Sequence, residues 1–256
     1  MRTDITTSLN AWKAYMDCLV RCARDAAQNG EERPVQAFVT ISRQVGAGGI
    51  TIGEKLALYL KERDKAATCP WTVFDRNLVE RVLEEHRLSE EFAKFMPEKK
   101  VSEIQDMIEE MCGLHPDEWA LAYKTKETIL HLAYSGNVVI VGRGGNLLTR
   151  RLAQGFHVRL VGSMKKRVTH VQEYYGMNER EAVEFITEED KGRKDYLRYH
   201  FDKDIDDPML YHLVINTDLI SYDDGAQIIG GQVLKFRVKC IFPSDVGHVS
   251  NVPDRL

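Results

Sequence analysis

Short apolar runs recur along the chain, each followed by a polar turn and an amphipathic stretch. The first, Ala37 to Ile41, lies inside VQAFVTISRQVGAGGITIGEKLALYL (35–60). Others are Trp71 to Phe74, Asn137 to Val141 (NVVIV), His157 to Val161 (HVRLV) and Leu210 to Asn216 (LYHLVIN). A continuous apolar run bounded by turn residues predicts a strand buried on both faces. Beyond the first run, Ile52, Leu56, Ala57 and Leu60 recur at helical spacing and predict a helix to about Arg63. Ser221 to Leu234 predicts a last helix. Strand and helix alternating in this way predict a three-layer α/β/α domain, with a five-stranded, mainly parallel sheet and right-handed crossovers.

Three stretches depart from the alternation. Residues 1–34 carry an apolar helical stripe (Leu9, Trp12, Met16, Leu19, Val20) and end at Asn29-Gly30 and Pro34. Such a stripe usually packs on its own domain, and self-association into a homo-oligomer is the other role open to it. Residues 77–134 read as a charged, mostly helical insert, with breaks at Met96-Pro97 and Gly113 to Pro116. The insert is longer than an ordinary crossover and reads as a cover over an acceptor site. Its histidines, His86, His115 and His131, lack metal-ligand spacing. After about residue 235 the pattern lapses: VLKFRVKCIF (233–242) suggests one more strand, and 243–256 reads as a tail without chemistry. The chain thus divides into an extension (1–34), a main domain (35–235) with a lid region at about 175–200, and a C-terminal tail (236–256).

Composition narrows the class. A chain of 256 residues with 43% apolar content can bury a sizeable core, and no run is long and apolar enough to suggest a membrane span. The start, MRTDITTSLNAWKAYMDC, does not resemble a signal peptide. The five cysteines (18, 22, 69, 112, 240) are scattered, and no second pair completes a zinc site with Cys18 and Cys22. Reduced thiols in a cytoplasmic protein are the expectation. A net charge of −4 argues against a general nucleic-acid binder but allows a local basic pocket.

Candidate chemistry collects at the ends of the predicted strands, where ligands of parallel sheets bind. Gly46, Ala47, Gly48 and Gly49 form a glycine turn between strand and helix, suited to wrapping phosphate with backbone N–H groups. Laid on the G-x-x-x-x-G-K-[ST] template, Arg43 takes the first glycine position, Gly49 the lysine position and Ile50 the Ser/Thr position. Thr51, one residue on, offers a hydroxyl for magnesium, while Arg43 and Lys55 are the nearest cations. Asp75-Arg76 ends the second strand, where Asp75 either lines a site or caps the next helix. Arg143, between Gly142 and Gly144, has the setting of a phosphate fork. Lys165-Lys166-Arg167 follows the fourth strand, and Asn178 with Glu181 spells a capping box. Asp190, Arg193, Lys194 and Arg198 share one helical face, as site residues or as salt-bridge partners.

These motifs together resemble the cytidylate-kinase-like branch of the P-loop nucleoside monophosphate kinases. The resemblance rests on ISRQVGAGG (41–49) with IGEKLA (52–57), FDRNLV (74–79), VGRGG (141–145), and DKGR (190–193) ahead of DPMLYHLVINTDLIS (207–221). It spans roughly residues 36–232 and implies a P-loop fold that uses ATP and Mg2+ to phosphorylate a nucleoside monophosphate, CMP or dCMP foremost. By position, Gly46 to Ile50 would hold the donor phosphates and Thr51 the magnesium. Arg143 would grip the acceptor phosphate, with Asp75, Arg76 and Asp190 also at the acceptor. Arg167 would lie near the donor, and Arg193 would reach the transferred group from a lid. The missing lysine departs from true cytidylate kinases and leaves two alternatives: a nucleotide-binding regulatory module, or a kinase of a non-nucleotide small molecule.

Overall fold

The computed structural model describes residues 5–30, 34–75, 78, 98–112, 120–142 and 144–241. Its centre is a sheet of five strands, β1 (Phe38–Arg43), β2 (Thr72–Phe74), β3 (Val138–Val141), β4 (Gly155–Val161) and β5 (Leu213–Asn216). The order across the sheet is β2-β3-β1-β4-β5 and every pairing is parallel. Strand β1, flanked on both sides, delivers the glycine turn to the middle of the sheet's C-terminal edge. In β1, Ile41 pairs with Val141 on one side and with Val158 on the other.

Alternation along the strands sorts side chains onto two faces. Val39, Ile41, Val139, Val141, Val158 and Leu160 are buried under helix α2 (Gly49–Arg63) and the last helix, α8 (Tyr222–Ile241). Phe38, Val138 and Ile140 face the other way, against α1 (Ile5–Asn29) and α4 (Ala120–Ser135). The remaining described helices are α3 (Glu98–Cys112), α5 (Gly145–Leu148), α6 (Met164–Tyr175) and α7 (Glu179–Phe201).

Helix α1 uses its apolar stripe for packing. Trp12, Tyr15, Met16 and Leu19 are buried, and the Tyr15 hydroxyl donates to the Gly136 carbonyl at 2.7 Å. The expected strand at 233–242 is a correction. Helix α8 runs unbroken to Ile241, because Val233 continues its buried stripe and Phe236 packs on Phe156 and His212. Residues 242–256 lie outside the described residues. The cysteines depart from the expectation too: Cys18 of α1 and Cys69, 51 residues apart in sequence, form a disulfide, and the Cys22 thiol stands 3.9 Å from each sulfur. No described helix is long and apolar enough to cross a membrane.

Candidate functional site

The chain turns sharply between β1 and α2. Gly46 (φ +79°) and Gly48 (φ +77°) adopt left-handed backbone, which glycine takes without strain. The turn is also closely walled: a Cβ at Gly46 would lie 2.6 Å from the Arg167 carbonyl oxygen, and one at Gly48 2.5 Å from the Tyr222 ring. Gly48 is the N-cap of α2, and no side chain caps the helix. The helix therefore opens with N–H groups and the positive end of its dipole towards the cleft, an arrangement suited to phosphate. A small cavity of about 80 Å³ lies over the turn, walled by Ile50, Thr51, His170, Tyr174 and Tyr175. These residues suit a magnesium-bound phosphate group: the turn and the start of α2 supply backbone N–H groups, and Thr51 supplies the hydroxyl that Ile50 lacks.

A second cavity, of about 280 Å³, opens beyond the ends of β1 and β3. Its floor is Thr40, Ser42 and Gly142; its far wall is α7, through Tyr196 and Leu197, with Asn146 at one side. Much of the insert expected as a cover lies outside the described residues, and those of its residues that are described line neither cavity. Among the described residues, Arg43 and Arg193 are the two that line both cavities.

Helix α7 is fixed at several points. Asn178 and Glu181 close a capping box at its start, as the sequence predicts. Asp190 accepts from the Val45 N–H at 2.8 Å and from Arg167 Nη1 at 2.5 Å, tying the glycine turn, α6 and α7 together. Arg167 also donates to the Val45 carbonyl at 3.2 Å. Arg193 donates to the Arg43 carbonyl at 3.3 Å and pairs with Glu189 at 3.4 Å. Burial lowers the Arg193 pKa against the opposing pull of Asp190 and Glu189. Burial, and then the Arg193 charge, lower that of Arg43 to about 9. Both guanidiniums still carry charge at neutral pH, in surroundings that favour an incoming anion.

Asp75 takes the capping role of its two alternatives and lines neither cavity. It accepts the Leu78 N–H at 2.8 Å as a helix cap, and its charge raises the Arg43 pKa. Arg76 and Arg143 lie outside the described residues. Lys55 is turned away from the cleft and pairs with Asp223 at 2.6 Å on the α2–α8 surface. Lys194 pairs with Asp204 and Asp206. Sequence reasoning missed Arg159, a buried cation in the middle of β4 that holds Ser42 at 2.9 Å and Asp206 at 2.9 Å. Its signal was available: a lone charge inside the apolar run HVRLV is costly without a partner. Tyr196 and Asn146 were also missed, and no local pattern marks them.

With this geometry in place, comparison with known proteins defines the class. The cytidylate kinase-like family model matches residues 38–219, from the first strand through the turn after the fifth. The chain belongs to that family, and membership supports kinase-like phosphoryl transfer. Among solved structures, an uncharacterized protein from Eubacterium ventriosum ATCC 27560 is similar at 17% identity and a TM-score of 0.61, covering 78% of this chain and 99% of that one. That likeness is one of fold. Shikimate kinase from Bacteroides thetaiotaomicron matches at 14% identity, covering 78% of this chain and 98% of its own, with a TM-score of 0.37, too low to bear on the fold. No curated protein matches the sequence.

Proposed function

We propose that the protein transfers the terminal phosphoryl group of ATP, bound with Mg2+, to a nucleoside monophosphate, CMP or dCMP foremost. The observation that carries this reading is the meeting of two cavities at Arg43 and Arg193. Phosphoryl transfer needs donor and acceptor in line with positive charge between them, and little other chemistry from the protein. Gly46, Ala47, Gly48 and Gly49, with the Ile50 and Thr51 N–H groups, hold the donor phosphates. Thr51 holds the metal, which when bound neutralises charge on the transferring group. Arg193 reaches that group from α7, while Asp190 and Arg167 keep the turn and α7 in register. The acceptor occupies the larger cavity, where Tyr196 offers a ring for a base and Asn146 an amide. In this reading Arg143, with Asp75 and Arg76 nearby, grips the acceptor phosphate.

The test is phosphorus NMR of the purified protein with ATP, magnesium and CMP, dCMP, UMP or AMP in separate samples, beside a sample without acceptor. A new nucleoside diphosphate signal in the CMP or dCMP sample, abolished in Arg143→Ala, is the expected result. Binding without turnover in every sample would replace the reading with a nucleotide-binding module. ATP consumption only with a non-nucleotide acceptor would move the activity to another substrate class.

A further inference from the structure

Resting on that reading, we propose that Arg43 supplies the phosphate-binding charge that the standard P-loop places on its lysine, so that the cation has moved from the helix to the end of the strand. Arg43 takes the first glycine position of the motif, and Gly49 takes the lysine position. These two exchanges are one structural event. A Cβ on Gly49 would lie 2.9 Å from Arg43 Cγ, 3.2 Å from its Cδ and 3.5 Å from its Cβ. The arginine stem therefore runs directly across the residue that would otherwise bear the lysine, and Gly49 is glycine because the stem occupies its side-chain space.

The guanidinium continues to Gly142, at the end of β3, where a Cβ would come within 2.9 Å of Arg43 Cζ. Gly142 has φ +94°, so both its backbone and the approach of the arginine require glycine. Two glycines from different loops thus flank one guanidinium. Among the described residues no hydrogen-bond or ion-pair partner meets that guanidinium; Asp75 and Glu189 act on it only through their charge. Arg193 bonds to the Arg43 carbonyl and leaves the side chain free. A half-buried guanidinium without a partner, lining two cavities, is open to an anion entering either one. Arg43 faces both cavities, the place from which a cation contacts the phosphoryl group in transit.

The experiment is a charge exchange. Binding of ATP with Mg2+, and of inorganic tripolyphosphate with Mg2+ as a probe without a base, is measured by calorimetry for four proteins: wild type, Arg43→Gly, Gly49→Lys, and the double variant. Arg43→Gly is expected to weaken both ligands on the order of tenfold to a hundredfold, the scale of a lost charge-assisted phosphate contact. Gly49→Lys alone, crowded against the arginine stem, is expected to bind no better than wild type. The double variant, which has the first glycine and the lysine of the standard P-loop, is expected to recover most of the loss. Wild-type affinity in folded Arg43→Gly would overturn the proposal, as would a double variant no better than Arg43→Gly. Failure of the wild type to bind either probe would overturn the kinase reading itself, and this inference with it.

Discussion

In the C-terminal halves of β1 and β4 the two faces of the central sheet are built from different materials. Towards α2 and α8, β1 and β4 present Val39, Ile41, Phe156, Val158 and Leu160, a continuous apolar layer. Towards α5 and α7 the same strands present Thr40, Ser42, His157 and Arg159. There Thr40 Oγ1 meets His157 Nδ1 at 2.8 Å, and Arg159 bridges Ser42 to Asp206. The polar face, through Thr40 and Ser42, lines the larger cavity together with the strand ends and Ile41. One face supplies cohesion. The other gives up part of that cohesion to hold directional groups under a ligand, since buried polar groups must find partners and so fix geometry.

That contrast breaks most sharply where a change on one face is felt as stability and on the other as rate. Leu56→Ala, in the apolar layer, is expected to cost about 2–5 kcal/mol in urea unfolding, while the folded fraction keeps its turnover. Arg193→Ala is expected to cut kcat about a hundredfold to a thousandfold, with a far smaller change in the unfolding midpoint. A loss confined to KM would place Arg193 in ground-state binding instead.

Acid sharpens the comparison further. Burial and the neighbouring His212 push the His157 pKa down to about 4, so the folded protein holds this imidazole neutral. The unfolded chain takes up the proton first, near pH 6.5. Stability is therefore full above that pH, falls as pH drops towards 4 and levels off below, by about 3 kcal/mol from this residue. His131, buried in α4 with its pKa also near 4, adds a similar fall. His157→Gln is expected to lose the His157 part of the drop and retain that of His131 and of the other partly buried histidines, His170, His200 and His212, in unfolding curves taken between pH 7 and pH 4. An unchanged drop would show that His157 takes up its proton in the folded state as it does unfolded. Smallest of all, Lys55→Ala removes an exposed pair with Asp223 outside the cleft. It should change stability by no more than about 1 kcal/mol and leave turnover alone.

Much of the fold was readable because its strands are buried on both faces and so stand out as apolar runs. The glycine turn, the helix ending at Arg63 and the capping box at Asn178 are local, and each appears where its residues predict. What could not be read depends on distance across the fold. The nearness of Cys69 to Cys18 and the α7 wall of the larger cavity depend on how distant elements pack, and the Arg43 stem over Gly49 depends on the path of the turn. The helical end of α8 was misread for a different reason. VLKFRV has a strand-like composition, and only packing of Phe236 on Phe156 decides the outcome.

Arg43 stands in register with Leu160 of β4, and the next residue, Gln44, donates its N–H to the Leu160 carbonyl at 3.0 Å. A lysine on the first turn of a helix sits on the part of a nucleotide site that shifts when the loop opens. A cation rooted in the ladder of a central strand is held at its backbone by β4 and not by the glycine turn. On the proposed reading, a change in the stiffness of the turn would then alter how quickly nucleotide enters and leaves more than how the charge is aimed.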